Sequence, residues 1–130
     1  ALENISVIQE GKLVENAMEM GKYLEVEVTK LMQKHPSIGD FRNTGLLGCI
    51  ELVKDRETKE PVTPWNASHG EMEPTLRMAT KMKELGMFTF VRWNWIFIAP
   101  PLIITKEQID EGLKIISQVI EIADEYYTGS

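Results

Sequence analysis

The sequence predicts an α+β domain: a small, mainly antiparallel sheet with helices packed on one face and long helices at both ends. Two observations predict it. Apolar residues recur at spacings of three and four in three segments, the pattern of amphipathic helices. Between them lie two pairs of short apolar runs joined by tight-turn residues, the pattern of antiparallel strands. A length of 130 residues, with 43% hydrophobic and 26% charged, suits one domain, residues 1–130, around a single modest core.

Residues 1–34 read as one long amphipathic helix. Val14, Ala17, Met18, Gly21, Leu24, Val28, Leu31 and Met32 form its apolar stripe. Gly11 weakens it locally, so a kink or break is expected there. Gly21 lies on the stripe, where the lack of a side chain lets another element pack closely. His35-Pro36 ends the helix, because proline disfavours a helical residue before it. Ile38 and Phe41 flank a short extended piece, and Asn43-Thr44-Gly45 supplies a turn. "LLGCIELV", from Leu46 to Val53, reads as a buried strand that pairs antiparallel with it or forms part of one bent strand.

"KDRETKEPVTPWNASHGEMEP" is a polar surface loop that holds three of the six prolines. Loops this long often cover a site or touch another domain. Pro74 opens the second helix at a tolerant position. Leu76, Ala79, Met82 (or Lys83) and Leu85 line its apolar face, and Gly86 caps its end. "MFTFVRW" and "WIFIA" form two short strands around Trp93-Asn94-Trp95. Thr105 and Gln108 make a capping box. It starts a last helix that buries Ile109, Leu113, Ile116, Ile120, Ala123 and Tyr127.

Composition excludes several functions. The net charge is −6 and the basic residues form no stripe, which argues against nucleic acid. No segment approaches the ~20 apolar residues of a membrane span. Cys49 is the single cysteine, so no internal disulfide can form, and a cytoplasmic location is expected. Cys49 itself reads as a small core hydrophobe. His35 and His69 have no partner at ligand spacing, so no metal is expected. Gly-rich phosphate loops are absent, no Ser/His/Asp arrangement can be argued, and no catalytic residue is assigned. The carboxylates of "GEMEP" and "ETKE" read as solvated. Trp65, Trp93 and Trp95 allow either ligand stacking or packing. The chain enters already helical without an initiator methionine, which suggests a piece of a longer protein.

Arg92 stands apart, a permanent charge inside the most apolar stretch of the chain, "FTFVRWNWIFIAPPLIITKEQID". Strand alternation puts Phe88, Phe90 and Arg92 on one face and Met87, Thr89 and Val91 on the other. Arg92 could lie over Trp93 or Trp95 in a cation–π contact. It could also face a surface supplied by another domain and bind a carboxylate through two parallel hydrogen bonds.

With these residues in view, "GLLGCIELVKDRETKEP" and "FVRWNWIFIAPPLIITKEQIDEGL" resemble the C-terminal small domain of class III aminotransferases. These are fold-type I enzymes that depend on pyridoxal phosphate (PLP). The likeness is strongest to the ω-amino-acid:pyruvate type and runs over nearly the whole chain. It implies a parent enzyme, a homodimer when full-length, that moves an amino group from an ω-amino acid or amine to a keto acid such as pyruvate. It further implies that PLP is bound by a large domain of the same chain and not by this segment, since no lysine here matches the PLP-bearing one. The segment alone is then expected to be inactive. At Arg92 the resemblance implies an arginine that recognises the substrate carboxylate. Relatives acting on acetylornithine tend to carry an arginine nearer the Pro-Pro pair, where this chain has Phe97 and Ile98. The loop from Trp65 to Met72 is longer than the minimal family pattern. The alternative, from a different class, is a free-standing α+β regulatory or ligand-binding module.

Overall fold

The computed structural model describes residues 2–129. Its elements are helices α1 (Leu2–Glu10) and α2 (Leu13–Lys34), strands β1 (Ile38–Thr44) and β2 (Leu47–Leu52), helix α3 (Glu73–Glu84), strands β3 (Val91–Arg92) and β4 (Trp95–Ile98), and helix α4 (Lys106–Asp124). A single 3-10 turn, His69–Met72, precedes α3. The four strands form one antiparallel sheet in the order β1-β2-β4-β3. The α+β architecture and both strand pairs match the expectation from sequence.

The expected break at Gly11 is present. The N-terminal helix stops at Glu10, Lys12 adopts a left-handed φ of 49°, and α2 starts at Leu13. Helix α1 buries none of its residues, and Leu2, Ile5 and Val7 are exposed. Helix α2 buries Met20, Gly21, Leu24 and Val28. Val14 and Met18, assigned to the stripe from spacing, are exposed instead. The buried face is rotated toward Met20 because Gly21, not the larger residues, sets the point of closest approach.

At that point a Cβ on Gly21 would lie 2.5 Å from the carbonyl oxygen of Gly45. Gly45 itself takes a left-handed φ of 55° in the β1–β2 turn. Asn43 Nδ2 donates to the carbonyls of both Gly21 (3.0 Å) and Gly45 (2.9 Å), binding helix to turn. Gly21→Ala should therefore destabilise the chain. Overpacking against fixed backbone costs about 1–3 kcal/mol, more than the ~1 kcal/mol gained from helix propensity. The midpoint of urea unfolding should fall; an unchanged midpoint would mean that the turn shifts away freely.

One face of the sheet is covered. Ile38, Ile50, Leu52, Ile96 and Ile98 point inward and join a single core cluster. Leu24 and Val28 of α2, Met78 and Met82 of α3, and Ile109, Leu113, Ile116 and Ile120 of α4 complete it. Each such side chain contributes roughly 1.5–3 kcal/mol on burial. Helix α4 begins at the expected capping box: Gln108 N donates to Thr105 Oγ1 at 3.4 Å, and Thr105 N to Gln108 Oε1 at 3.1 Å. Helix α3 presents Thr75, Met78 and Met82 to the core, while Leu76 is exposed. Met82 and Leu85 thus face the core as read from spacing, whereas in the first turns Thr75 and Met78 take the places expected of Leu76 and Ala79.

Two strands differ from expectation. β2 is not buried throughout. Its residues alternate, with Gly48, Ile50 and Leu52 inside and Leu47, Cys49 and Glu51 on the other face. Cys49 is therefore half-buried on the sheet's open side rather than a core residue. β3 pairs only over Val91–Arg92. Its register with β4 would carry Phe88 and Met87 opposite Ala99 and Pro100. Pro100 and Pro101 have no N–H to donate, so the ladder cannot extend there. A single backbone bond, Phe97 N to Phe90 O at 3.0 Å, continues the contact.

Candidate functional site

The open face of the sheet follows directly from the alternation. Register places Glu51 beside Trp95, Cys49 beside Phe97, and Arg92 beside Trp95. Phe90 packs on Phe97 with ring centroids 5.4 Å apart. Phe97 meets Trp95 at 6.4 Å, Trp95 meets Trp93 at 5.4 Å, and Trp93 meets Trp65 of the long loop at 5.7 Å. The result is a continuous aromatic row across this side, and Trp65 and Phe90 are exposed on it. The alternation expected for Phe88, Phe90 and Arg92 persists although most of the segment is not in the ladder: all three are exposed, and Met87, Thr89 and Val91 are half-buried.

Arg92 sits on this row. Its Cζ lies 4.2 Å from the centroid of the Trp93 ring. The other three arginines are bound to oxygen. Arg42 bridges Asp40 (3.0 Å) and Glu51 (2.9 Å) on the same face. Arg56 donates to the carbonyls of Met32, His35 and Ile38, which pins the long loop to the end of α2. Arg77 pairs with Glu125 and Tyr126. Among the described residues Arg92 alone has no carboxylate, carbonyl or hydroxyl partner. Asp40 and Glu51, the acidic groups on β1 and β2 of this face, are already taken by Arg42.

The turn that carries Arg92 is held from beneath. Thr75 Oγ1, almost fully buried, donates to the carbonyl of Trp93 at 2.7 Å. Leu52 N donates to the carbonyl of Asn94 at 2.8 Å, and Asn94 is itself buried. Trp93 adopts φ 51°, a left-handed value that is costly for a bulky residue. Nearby, Cys49 has its thiol pKa pushed up by burial, a shift only partly opposed by Arg42. It is thus a poor nucleophile at neutral pH. An apolar cavity of about 250 Å³ lies under the Pro100-Pro101 turn, lined by Leu24, Met87, Ile98, Ile104 and Leu113 among others. It holds no charged side chain.

The structure also assembles a group that sequence reading did not bring together. His35 Nδ1 lies 2.6 Å from Asp124 Oδ2, and His35 Nε2 lies 2.7 Å from Ser117 Oγ. Ser37 N and Oγ donate to Asp124 Oδ1, and Lys34 Nζ donates to Ser117 Oγ. The order of groups is that of a nucleophilic triad. Ser117, however, lies within α4, where the neighbouring amides are spent on helix bonds, so no oxyanion hole faces it. His35 is 1% exposed. This network fastens the end of α2 to α4. Each of its bonds joins residues more than 80 apart in sequence, and no local pattern announces them. Glu71, expected to be solvated, caps a turn: Ser68 donates to it through both hydroxyl and amide, and these bonds lower its pKa. No group of His, Cys, Asp and Glu among the described residues could hold a metal, and no described helix is long and apolar enough to cross a membrane.

Residues 1–120 match the model of the family described as aminotransferase class-III. The chain is 39% identical over 112 residues to taurine–pyruvate aminotransferase of Bilophila wadsworthia, covering 85% of this chain and 24% of that protein. It is 34% identical over 130 residues to leucine/methionine racemase of Thermococcus litoralis, covering 99% of this chain and 27% of that protein. Its fold superposes on the taurine:2-oxoglutarate aminotransferase of Bifidobacterium kashiwanohense, solved in complex with PLP and glutamate. There the TM-score is 0.83 at 31% identity, over 93% of this chain and 26% of the other. The chain thus spans about a quarter of the length of the relatives it matches.

Proposed function

Since this chain belongs to the class-III aminotransferase family, we propose that it serves as the small domain of a PLP-dependent transaminase and supplies the arginine that receives the substrate carboxylate. The parent enzyme moves an amino group from an ω-amino acid or amine to a keto acid such as pyruvate. One observation carries this reading: Arg92 is exposed and stacked on Trp93, yet it is the only arginine without an oxygen partner among the described residues. A guanidinium with its flat face on an aromatic ring keeps its edge donors free. A planar carboxylate accepts two of them in parallel. The aromatic row beside it forms an apolar wall that limits water at the bound substrate.

The residues present here do not fit the cofactor itself. None of the ten lysines lies on β2, β3 or β4, and several are engaged elsewhere, such as Lys34 with Ser117, Lys54 with Glu60 and Lys106 with Glu19. No Gly-rich loop offers a phosphate cradle. PLP would be held by the large domain of the same chain, against which the open face of the sheet would pack, in an enzyme that is a homodimer. The chain on its own would then be inactive. Mixed with PLP, it should gain no absorbance beyond that of surface lysines reacting at random. A saturable one-to-one adduct on this chain would overturn the division of labour. No observation favours the free-standing regulatory module.

Among the relatives, taurine transaminases stand beside a racemase. The choice of an ω-amino donor therefore rests on Arg92 and on the absence of an arginine at Phe97 and Ile98.

A further inference from the structure

Trp93 is the most strained residue near the candidate site. Its left-handed φ of 51° suits glycine or asparagine, and a large aromatic side chain there needs a compensating reason. The backbone around it is fixed from below by Thr75 on its carbonyl and by Leu52 on that of Asn94. Its ring is braced on two sides, by Trp95 in an edge-on contact and by Trp65 at 5.7 Å. On a third side it faces the Arg92 guanidinium, 4.2 Å from its centroid. A strained turn, held by buried hydrogen bonds, thus carries a rigid indole directly against the one arginine lacking an oxygen partner.

We infer that Trp93 is a positioning residue: it stacks the Arg92 guanidinium flat and presents its donor edge to an incoming carboxylate. This inference rests on the reading of Arg92 as the carboxylate receptor. A free arginine samples many rotamers, and each must be given up when a bidentate pair forms. Stacking on an indole that is already immobile removes much of that loss before the substrate arrives. It also leaves the in-plane N–H groups unhindered, because a cation–π contact uses only the face of the guanidinium. The strain at Trp93 is what sets the ring at this point of the turn, where an ordinary φ would direct it elsewhere.

The test uses the full-length enzyme and compares an ω-amino acid with the matching amine that lacks the carboxylate. Trp93→Ala should lower kcat/KM for the carboxylate-bearing donor by about 5- to 20-fold, the size of a partly desolvated cation–π contact. The loss should fall on KM. The carboxylate-free amine should stay within about twofold, since it makes no use of Arg92. Trp93→Phe, which keeps an aromatic face, should recover most of the loss. Arg92→Ala combined with Trp93→Ala should be no worse than Arg92→Ala alone, because the indole would act through the guanidinium. Both donors are measured on one preparation, so partial unfolding cancels from their ratio. Equal losses for the two donors, or additive losses in the double variant, would overturn the role of Trp93. A wild-type ratio in Trp93→Ala with a strong defect in Arg92→Ala would remove only the role of Trp93. No defect in Arg92→Ala would remove the carboxylate reading and this inference together.

Discussion

Replacing Arg92 with alanine in the full-length enzyme is expected to raise KM for carboxylate-bearing substrates by roughly 30- to 1000-fold, equivalent to about 2–4 kcal/mol. The magnitude comes from the chemistry of the lost pair. A hydrogen bond to a charged group contributes about 1.5–3 kcal/mol, and a carboxylate left without its partner in a closed site also bears the cost of its own desolvation. Arg92 can supply two such bonds at once. The loss should appear mainly in KM, because the carboxylate lies away from the reacting amine and is bound in ground and transition states alike. Simple amines should be affected far less. Arg92→Lys should restore only part of the affinity, since an ammonium is a point charge without the parallel fork. Steady-state kinetics with matched donors decide the matter: an equal rise in KM for both would take the role from Arg92.

The second large effect concerns stability. Asp124→Ala should cost about 2–4 kcal/mol, read as a fall of roughly 4 °C in Tm for each kcal/mol in a domain of this size. Asp124 accepts from His35, from the Ser37 amide and from the Ser37 hydroxyl. Without it, the His35 ring remains buried with one nitrogen unpartnered. Asp124→Asn should cost less, because its amide oxygen can still accept from Ser37 and its NH2 group can donate to His35 in the other tautomer. Ser117→Ala should lie between the two: Lys34 can turn to solvent, but His35 Nε2 loses its partner inside the buried network. Thermal unfolding should therefore rank Asp124→Ala as the most costly, then Ser117→Ala, then Asp124→Asn. If Asp124→Ala melted with the wild type, the network would not be holding α2 to α4.

Most of the fold could be read from local chemistry. The helix break at Gly11, the capping box at Thr105 and the buried stripe of α4 from Ile109 to Ala123 each depend on residues close in sequence, and each lies where it was expected. Tyr127, read as the last member of that stripe, falls beyond the helix and is half-buried. The turn expected at Asn43-Thr44-Gly45 forms at Gly45-Leu46, with Asn43 and Thr44 still paired in β1. What escaped prediction depended on distant partners. Spacing alone could not tell whether Met18 or Met20 faces the core, because the contact between Gly21 and Gly45 decides the rotation of α2. The two prolines, which lie opposite Met87 and Gly86, set the limit of how far β3 could pair across the sheet. The hold of Arg56 on the end of α2, and the joining of His35 to Ser117 and Asp124, arise only when the two ends of the chain pack together. At the candidate site the exposure of Arg92 was legible from strand alternation, and its stacking on Trp93 was one of two contacts that the sequence allowed. The strained backbone beneath it left no trace in the residue pattern, since tryptophan is an unlikely choice for a left-handed position.

All three tryptophans of this chain belong to the one aromatic row. Its intrinsic fluorescence is therefore not a general gauge of the fold but a local optical probe, with every indole emitter in the neighbourhood of a single guanidinium. Ring pairs this close couple excitonically, so the tryptophan bands of the near-ultraviolet dichroism are likewise a signature of that one spot. A carboxylate pairing with the edge of that guanidinium, while its face stays on the indole, would change the tryptophan signals without any label being attached.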